Sequence, residues 1–256
     1  MKIYPYILVF LLSGCSSAYI PSPKNIPLFE EKGEYQIEAG ASTNSVFAAG
    51  SYAFSEKFSL IANGSMSYCY ILGKPFGWSS GEPLSISFSG DVPHRSIEAG
   101  IGRYNLLPSS QRRLEVFAGV GYGAAHSFNS EYKQNYLLGF VQANTGKKYR
   151  HTEMGWSLRA AFSGFHESYG STYPEYYYIE NGKYQAFHLE PLFVIRTGGQ
   201  RLKVSFRTGI NLAFPLSFPS KIVTLRGKEG YPVFHLSCGL SYQRFREKKM
   251  NKNTGF

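Results

Sequence analysis

No apolar stretch in this chain is long enough to cross a bilayer as a helix. The run from Ile3 to Leu12 falls short of the roughly 20 residues that a spanning helix needs. After it, no helical period of useful length occurs anywhere. Charge is scarce, at 17% of 256 residues. There are three cysteines. Two of them, Cys69 and Cys238, fall on opposite parities of their strands. We expect no disulfide between them, because a bridge needs Cβ atoms within about 4.5 Å. Zinc-type Cys/His spacing and acidic calcium loops are both missing, so no metal is expected. No linker or shift in composition divides the chain beyond its N-terminal segment, and the remainder reads as one domain.

What is abundant is aromatic and small. Aromatics make up 16% of the residues, and there are 27 glycines. The stretch Arg201–Leu216 shows how they are arranged. Leu202, Val204, Phe206, Ile210, Leu212 and Phe214 share one parity, while Arg201, Lys203, Ser205, Arg207, Gly209 and Asn211 share the other. Alternate side chains of a strand point to opposite faces, so this is a long strand with one oily face and one polar face. The pattern recurs, giving ten strands at 34–42, 46–54, 57–70, 94–106, 112–126, 136–147, 152–166, 184–197, 201–216 and 231–245. The least regular is 136–147, where the alternation fails in the middle.

The links between strands alternate in length. Short ones occur at 55–56, 107–111, around Arg150 and at 198–199, and longer ones at 71–93, 127–135, 167–183 and 217–230. With an even number of strands, the long links and the termini then lie at opposite ends. That asymmetry, with strands of nine to eleven residues or more, predicts an all-β fold: an antiparallel, up-and-down transmembrane β-barrel with short periplasmic turns and long external loops.

Alternation alone would also suit a soluble sandwich. Two features favour lipid. In Arg113–Ala125, Gly119, Gly121 and Gly123 share the polar face, where glycine packs nothing unless it makes room inside a narrow barrel. Oily-face rings, among them Tyr35, Tyr52, Phe54, Phe58, Phe187, Phe214 and Tyr242, gather near strand ends, where headgroups lie.

The first residues have the layout of a secretory signal, and Leu12-Ser13-Gly14-Cys15 resembles the lipobox of bacterial lipoproteins. The resemblance implies a signal peptide over 1–14 and a lipid on Cys15. Residues 15–32 then read as a lipidated Pro- and Ser-rich spacer, 33–246 as the barrel and 247–256 as a basic periplasmic tail. Taken together, the chain resembles the small outer-membrane β-barrel proteins of Gram-negative bacteria, in particular lipoprotein-tethered ones. That implies an outer-membrane location with the N-terminus lipid-anchored on the periplasmic side. One departure is that the last strand ends near Phe245, leaving Phe256 beyond it.

The inward face is expected to carry Glu34, Glu38, Glu98, Glu115, Glu153 and Glu190 against Arg113, Arg159, Arg196, Lys203 and Arg207. Unpaired buried charge is costly, so these groups should pair and plug the lumen. His188, Glu190, His235 and Ser237 face inward toward the long-loop end, and form the one candidate for a hydrolase triad. "GIGRYN" and "GVGYGA" lie within strands with no following helix, which excludes dinucleotide binding, and no cofactor is expected. Trp78, Tyr173, Tyr176, Tyr177 and Tyr178 populate the long links and suit a surface glycan or another envelope protein. The net charge of +10 does not point to nucleic acid, since export removes the chain from it and the basic residues are dispersed. The partner expected first is outer-membrane lipid. The function read from sequence is therefore a plugged barrel with a structural, adhesive or complex-forming role. A narrow channel and a membrane-embedded lipid- or polymer-modifying enzyme are the alternatives.

Overall fold

The protein is seen in a computed structural model that describes residues 23–42, 45–67, 94–104, 112–126, 133–149, 151–170, 179–217 and 233–244. Ten strands form: β1 (Tyr35–Ser42), β2 (Ser45–Tyr52), β3 (Phe58–Ser67), β4 (His94–Arg103), β5 (Arg113–His126), β6 (Lys133–Lys148), β7 (Thr152–Gly170), β8 (Ile179–Gly198), β9 (Leu202–Ser217) and β10 (Val233–Arg244). Each pairs antiparallel with its sequence neighbours, and β1 pairs with β10, so the sheet is a closed barrel. Closure leaves no unpaired edge, which is the condition for a sheet to cross lipid.

Burial follows parity around the whole barrel. On β9, Lys203, Ser205 and Arg207 are buried, while Leu202, Val204 and Phe206 are exposed. The surface thus carries the apolar residues and the interior the polar ones, the inverse of a water-soluble protein. The aromatic residues expected near strand ends point outward where they are described, among them Tyr52, Phe54, Phe58, Phe187, Phe214 and Tyr242. Cys238 is also exposed, while Cys69 lies outside the described residues.

The irregular middle of 136–147 has a physical reason. β6 alternates in burial throughout, but Tyr136, Leu138 and Phe140 point inward while Leu137 and Val141 point outward. Both faces are apolar there, so the sequence period disappears although the strand does not. The inward rings occupy space left by glycine on the adjoining strand, where Gly119 pairs with Phe140, Gly121 with Leu138 and Gly123 with Tyr136. A Cβ on Gly119 would meet the Phe140 ring at 2.5 Å. The glycine stripe does make room, but for the neighbouring strand rather than the opposite wall.

Two expectations need correction. The external link at 167–183 is mostly strand, because β7 continues to Gly170 and β8 begins at Ile179. Backbone pairing there, from Glu167 with Gly182 to Gly170 with Ile179, extends the hairpin past the point where apolar residues stop marking it. The spacer assigned to 15–32 is also cut short, because Pro23–Phe29 is buried. Lacking any period of two or 3.6, this segment reads in sequence as a tether, yet its side chains fill the barrel.

Candidate functional site

The site is the lumen, and its half toward the chain termini is built on charge. β1, β7, β8 and β9 bring Glu38, Glu153, Arg196, Lys203 and Arg207 together there. Glu38 receives the guanidinium groups of Arg207 and Arg196, with Ser205 Oγ and Gln36 Nε2 as further donors. Glu153 takes Lys203 Nζ at 2.6 Å and Arg196 at 3.4 Å. At mid-height, Arg159 forks onto both oxygens of Glu98, at 2.7 and 3.0 Å, from a strand not adjacent to β4. Its Nε lies 3.4 Å from Glu190, and its guanidinium sits over the Phe140 ring. Planar bidentate geometry of this kind is what makes a desolvated pair tolerable.

The segment Pro23–Phe29 completes this network from within. Lys24 Nζ meets Glu190 at 2.7 Å. The Asn25 carbonyl accepts from Gln142, the Ile26 carbonyl accepts from Arg196, and the Phe29 amide donates to Glu115. Asn144 donates to the other Glu115 oxygen. Apolar contacts add to the polar ones. Ile26 and Leu28 cluster with Leu192 and Val194, and lie where Cβ atoms on Gly155 and Gly146 would be. Leu28 takes a φ of 56°, a left-handed conformation that costs a bulky residue about 1–2 kcal/mol and persists only where the surroundings impose it. The segment runs from the termini end, where Phe29 packs on Tyr104, to the level of Glu190 and Arg159.

At the mouth of this end, Arg113 at the start of β5 pairs with Glu30, and Lys148 at the end of β6 approaches Glu34, which just precedes β1. Burial holds the Glu34 carboxyl above its usual range, against the pull of Lys148. Every member of the sequence-derived charge set is therefore in the lumen or at its mouth. The set lacked Lys24, which nothing marked as inward before the fold was known.

The half away from the termini is different. His188 is buried with Nε2 2.7 Å from Ser163 Oγ and Nδ1 3.3 Å from Asn211 Oδ1. His235 Nε2 lies 3.2 Å from Ser237 Oγ. The four candidate residues thus divide: His235 and Ser237 pair with each other, Glu190 belongs to the ion network, and His188 takes two partners that sequence reading passed over. Ser163, His188 and Asn211 come from consecutive strands and are joined in the order of a nucleophile, base and orienting group. Ser163 is 0% exposed. Beside it, Phe165 stacks on Tyr184 with centroids 4.4 Å apart and packs against Tyr136, which lies against His94. No cluster among the described residues could hold a metal ion. Cys15, Trp78, Tyr173, Tyr176, Tyr177 and Tyr178 lie outside the described residues.

No protein-family model and no curated protein matches the chain. Among solved structures, it is similar to the outer membrane protease OmpT from Escherichia coli, with 12% identity and a TM-score of 0.53 over 83% of this chain and 93% of that one. A second is the OmpT outer membrane protein of Vibrio cholerae in its trimer form, at 9% identity and a TM-score of 0.21 over 83% and 98%, too loose a superposition to support an argument. The first likeness shows the fold alone: a closed ten-stranded barrel of the outer-membrane kind.

Proposed function

We propose that this protein is a non-conducting outer-membrane barrel, sealed from inside by its own N-terminal segment, that serves as a rigid base for binding through its external connections. One observation carries the reading: Pro23–Phe29 is buried in the lumen and tied to β5, β6 and β8 through Glu115, Gln142, Glu190 and Arg196. The aromatic-rich links suit a surface glycan or another envelope protein, and a lipid on Cys15 would add a second anchor to the barrel's own. Planar-bilayer recording tests the seal. The whole protein should give no steps, and deletion of residues 23–29 should give discrete ones. Steps from the intact protein at equal frequency would show that the segment does not seal it. Lipidation is checked by labelled palmitate, which wild type should incorporate and Cys15→Ala should not.

A second reading, hydrolysis, is favoured by Ser163, His188 and Asn211. Their connectivity would let Ser163 Oγ attack an acyl carbon while His188 Nε2 takes its proton and Asn211 fixes the ring. A fluorophosphonate should then label wild type and leave Ser163→Ala unlabelled. With Ser163 sealed beneath the aromatic layer, we expect neither to be labelled.

A further inference from the structure

On β6, β7 and β8 the outer wall changes character toward the end away from the termini. Its outward residues form rows in register across these three strands. Gly139, Phe162 and Phe187 make one row, and Leu137, Gly164 and Gln185 the next. Beyond them come Asn135, His166 and Lys183, register partners on consecutive strands and all exposed. Lys133 is exposed two residues past Asn135 on the same face of β6. The outward parity that supplies leucine and phenylalanine lower down thus supplies lysine and histidine here, which is the change from hydrocarbon to headgroup level.

Directly paired side chains start about 4.5–5.5 Å apart, so His166 has Asn135 on one side and Lys183 on the other. Lys133 and Lys183 flank the group, two strands and one row apart. At about 4.8 Å per strand and 3.4 Å per residue that is roughly 12 Å, a gap that two lysines can close around a sugar-sized headgroup. Lys133, His166 and Lys183 take part in none of the ion pairs found among the described residues. Tyr122 donates its hydroxyl to Asn135 Oδ1 at 3.0 Å, which leaves the amide nitrogen as a donor. Beneath these groups the wall is recessed. A Cβ on Gly139 or Gly164 would meet nothing within 4 Å, while Leu137, Phe162 and Phe187 stand out around them. We propose that this patch binds a phosphorylated glycolipid of the leaflet on that side of the membrane. Its phosphate groups meet Lys183 with His166 and Lys133, its sugar hydroxyls meet Asn135 and Gln185, and an acyl chain lies over Gly164 and Gly139. The inference rests on the barrel fold and is independent of whether the lumen is sealed.

A lysine at such a surface contributes about fivefold in affinity for an anionic headgroup. Native mass spectrometry of the full-length protein in detergent provides the test, with lipid A, the same acylated disaccharide lacking phosphate, and phosphatidylglycerol supplied in equal amounts. Wild type should retain lipid A over the phosphate-free form by on the order of tenfold or more, given two lysines. Lys133→Gln with Lys183→Gln should bring those two close to parity. Lys57→Gln with Arg103→Gln removes equal charge at the opposite rim and should leave the preference as it was. Gly139→Leu with Gly164→Leu adds bulk only toward lipid. It should weaken retention of both disaccharides while the barrel still folds, as judged by heat-dependent gel migration. Equal retention of the two disaccharides by wild type would overturn the proposal, as would an equal loss of preference from the change at the opposite rim. Phosphatidylglycerol held as strongly as lipid A would also overturn it, because any anionic phospholipid would then serve.

Discussion

Toward the chain termini the lumen is filled by arginine, lysine and glutamate around an inserted segment, whereas toward the other end it is filled by serine, histidine, asparagine and aromatic rings. The two halves are filled by different means. The first, lower half uses full charges, each of which must find its counter-charge. Glu38 has two guanidinium groups, Glu153 has Arg196 and Lys203, and Glu190 has Lys24 and Arg159. The upper half uses neutral hydrogen bonds, such as Ser65 with Ser96 at 2.6 Å and Gln134 with Tyr184 at 2.7 Å, and packs rings against them. Removing one partner therefore has unequal consequences. Either group left unpaired keeps its desolvation cost, and that cost is larger for an ion than for a neutral group.

The comparison breaks most visibly at Arg159, which is 0% exposed and serves both Glu98 and Glu190. Arg159→Met should destabilise the barrel by about 3–5 kcal/mol, read as the midpoint of guanidinium unfolding in micelles. Adding Glu98→Gln should recover part of that loss, because the stranded charge is then gone. If Arg159→Met costs no more than a change in the upper half, the two halves are not different in kind.

The matching change above is Ser163→Ala, which leaves His188 Nε2 without its 2.7 Å partner. A loss of about 1–3 kcal/mol is expected by the same measurement. Gly155→Val tests the inserted segment instead. A Cβ there would lie 3.1 Å from both Ile26 and Val194, side chains that yield before the backbone does. Overpacking should cost about 1–3 kcal/mol, and should loosen the segment enough for trypsin to cut after Lys24. Resistance equal to wild type would mean that the polar ties alone hold it.

These contrasts were only partly legible in the sequence. Period-two alternation located all ten strands, and parity put the charges carried on strands inside, though not Lys24, because a one-residue error would have turned lysine and arginine to lipid. What parity cannot give is partnership across the barrel. Arg159 meets Glu98 from β7 to β4, and that pairing exists only once the sheet has closed. Ser163 and Asn211 were overlooked for a related reason. Serine and asparagine on an inward face carry no pattern of their own, and only the register of β7, β8 and β9 brings them to His188. Pro23–Phe29 was misread as a tether because its burial depends on a cavity that the rest of the chain builds.

The smallest effect sits at the mouth of the charged half and separates its rim from its interior. Glu34 Oε2 accepts from the Glu30 amide at 3.1 Å and lies 3.6 Å from Lys148. Its carboxyl titrates above the ordinary value of 4.5 because burial outweighs that lysine. Below 4.5 the group is protonated in both the folded and unfolded chain, and its contribution to stability is fully present. As pH rises from there through the folded value, the unfolded chain releases the proton first, and that contribution is lost. Glu34→Gln removes the titration while keeping an acceptor for the Glu30 amide. The variant should therefore gain on wild type as pH is raised from about 5 to 8 in thermal melts, since only wild type loses stability over that window. A difference that stays flat over that window would mean that Lys148 offsets the cost of burying the Glu34 carboxyl.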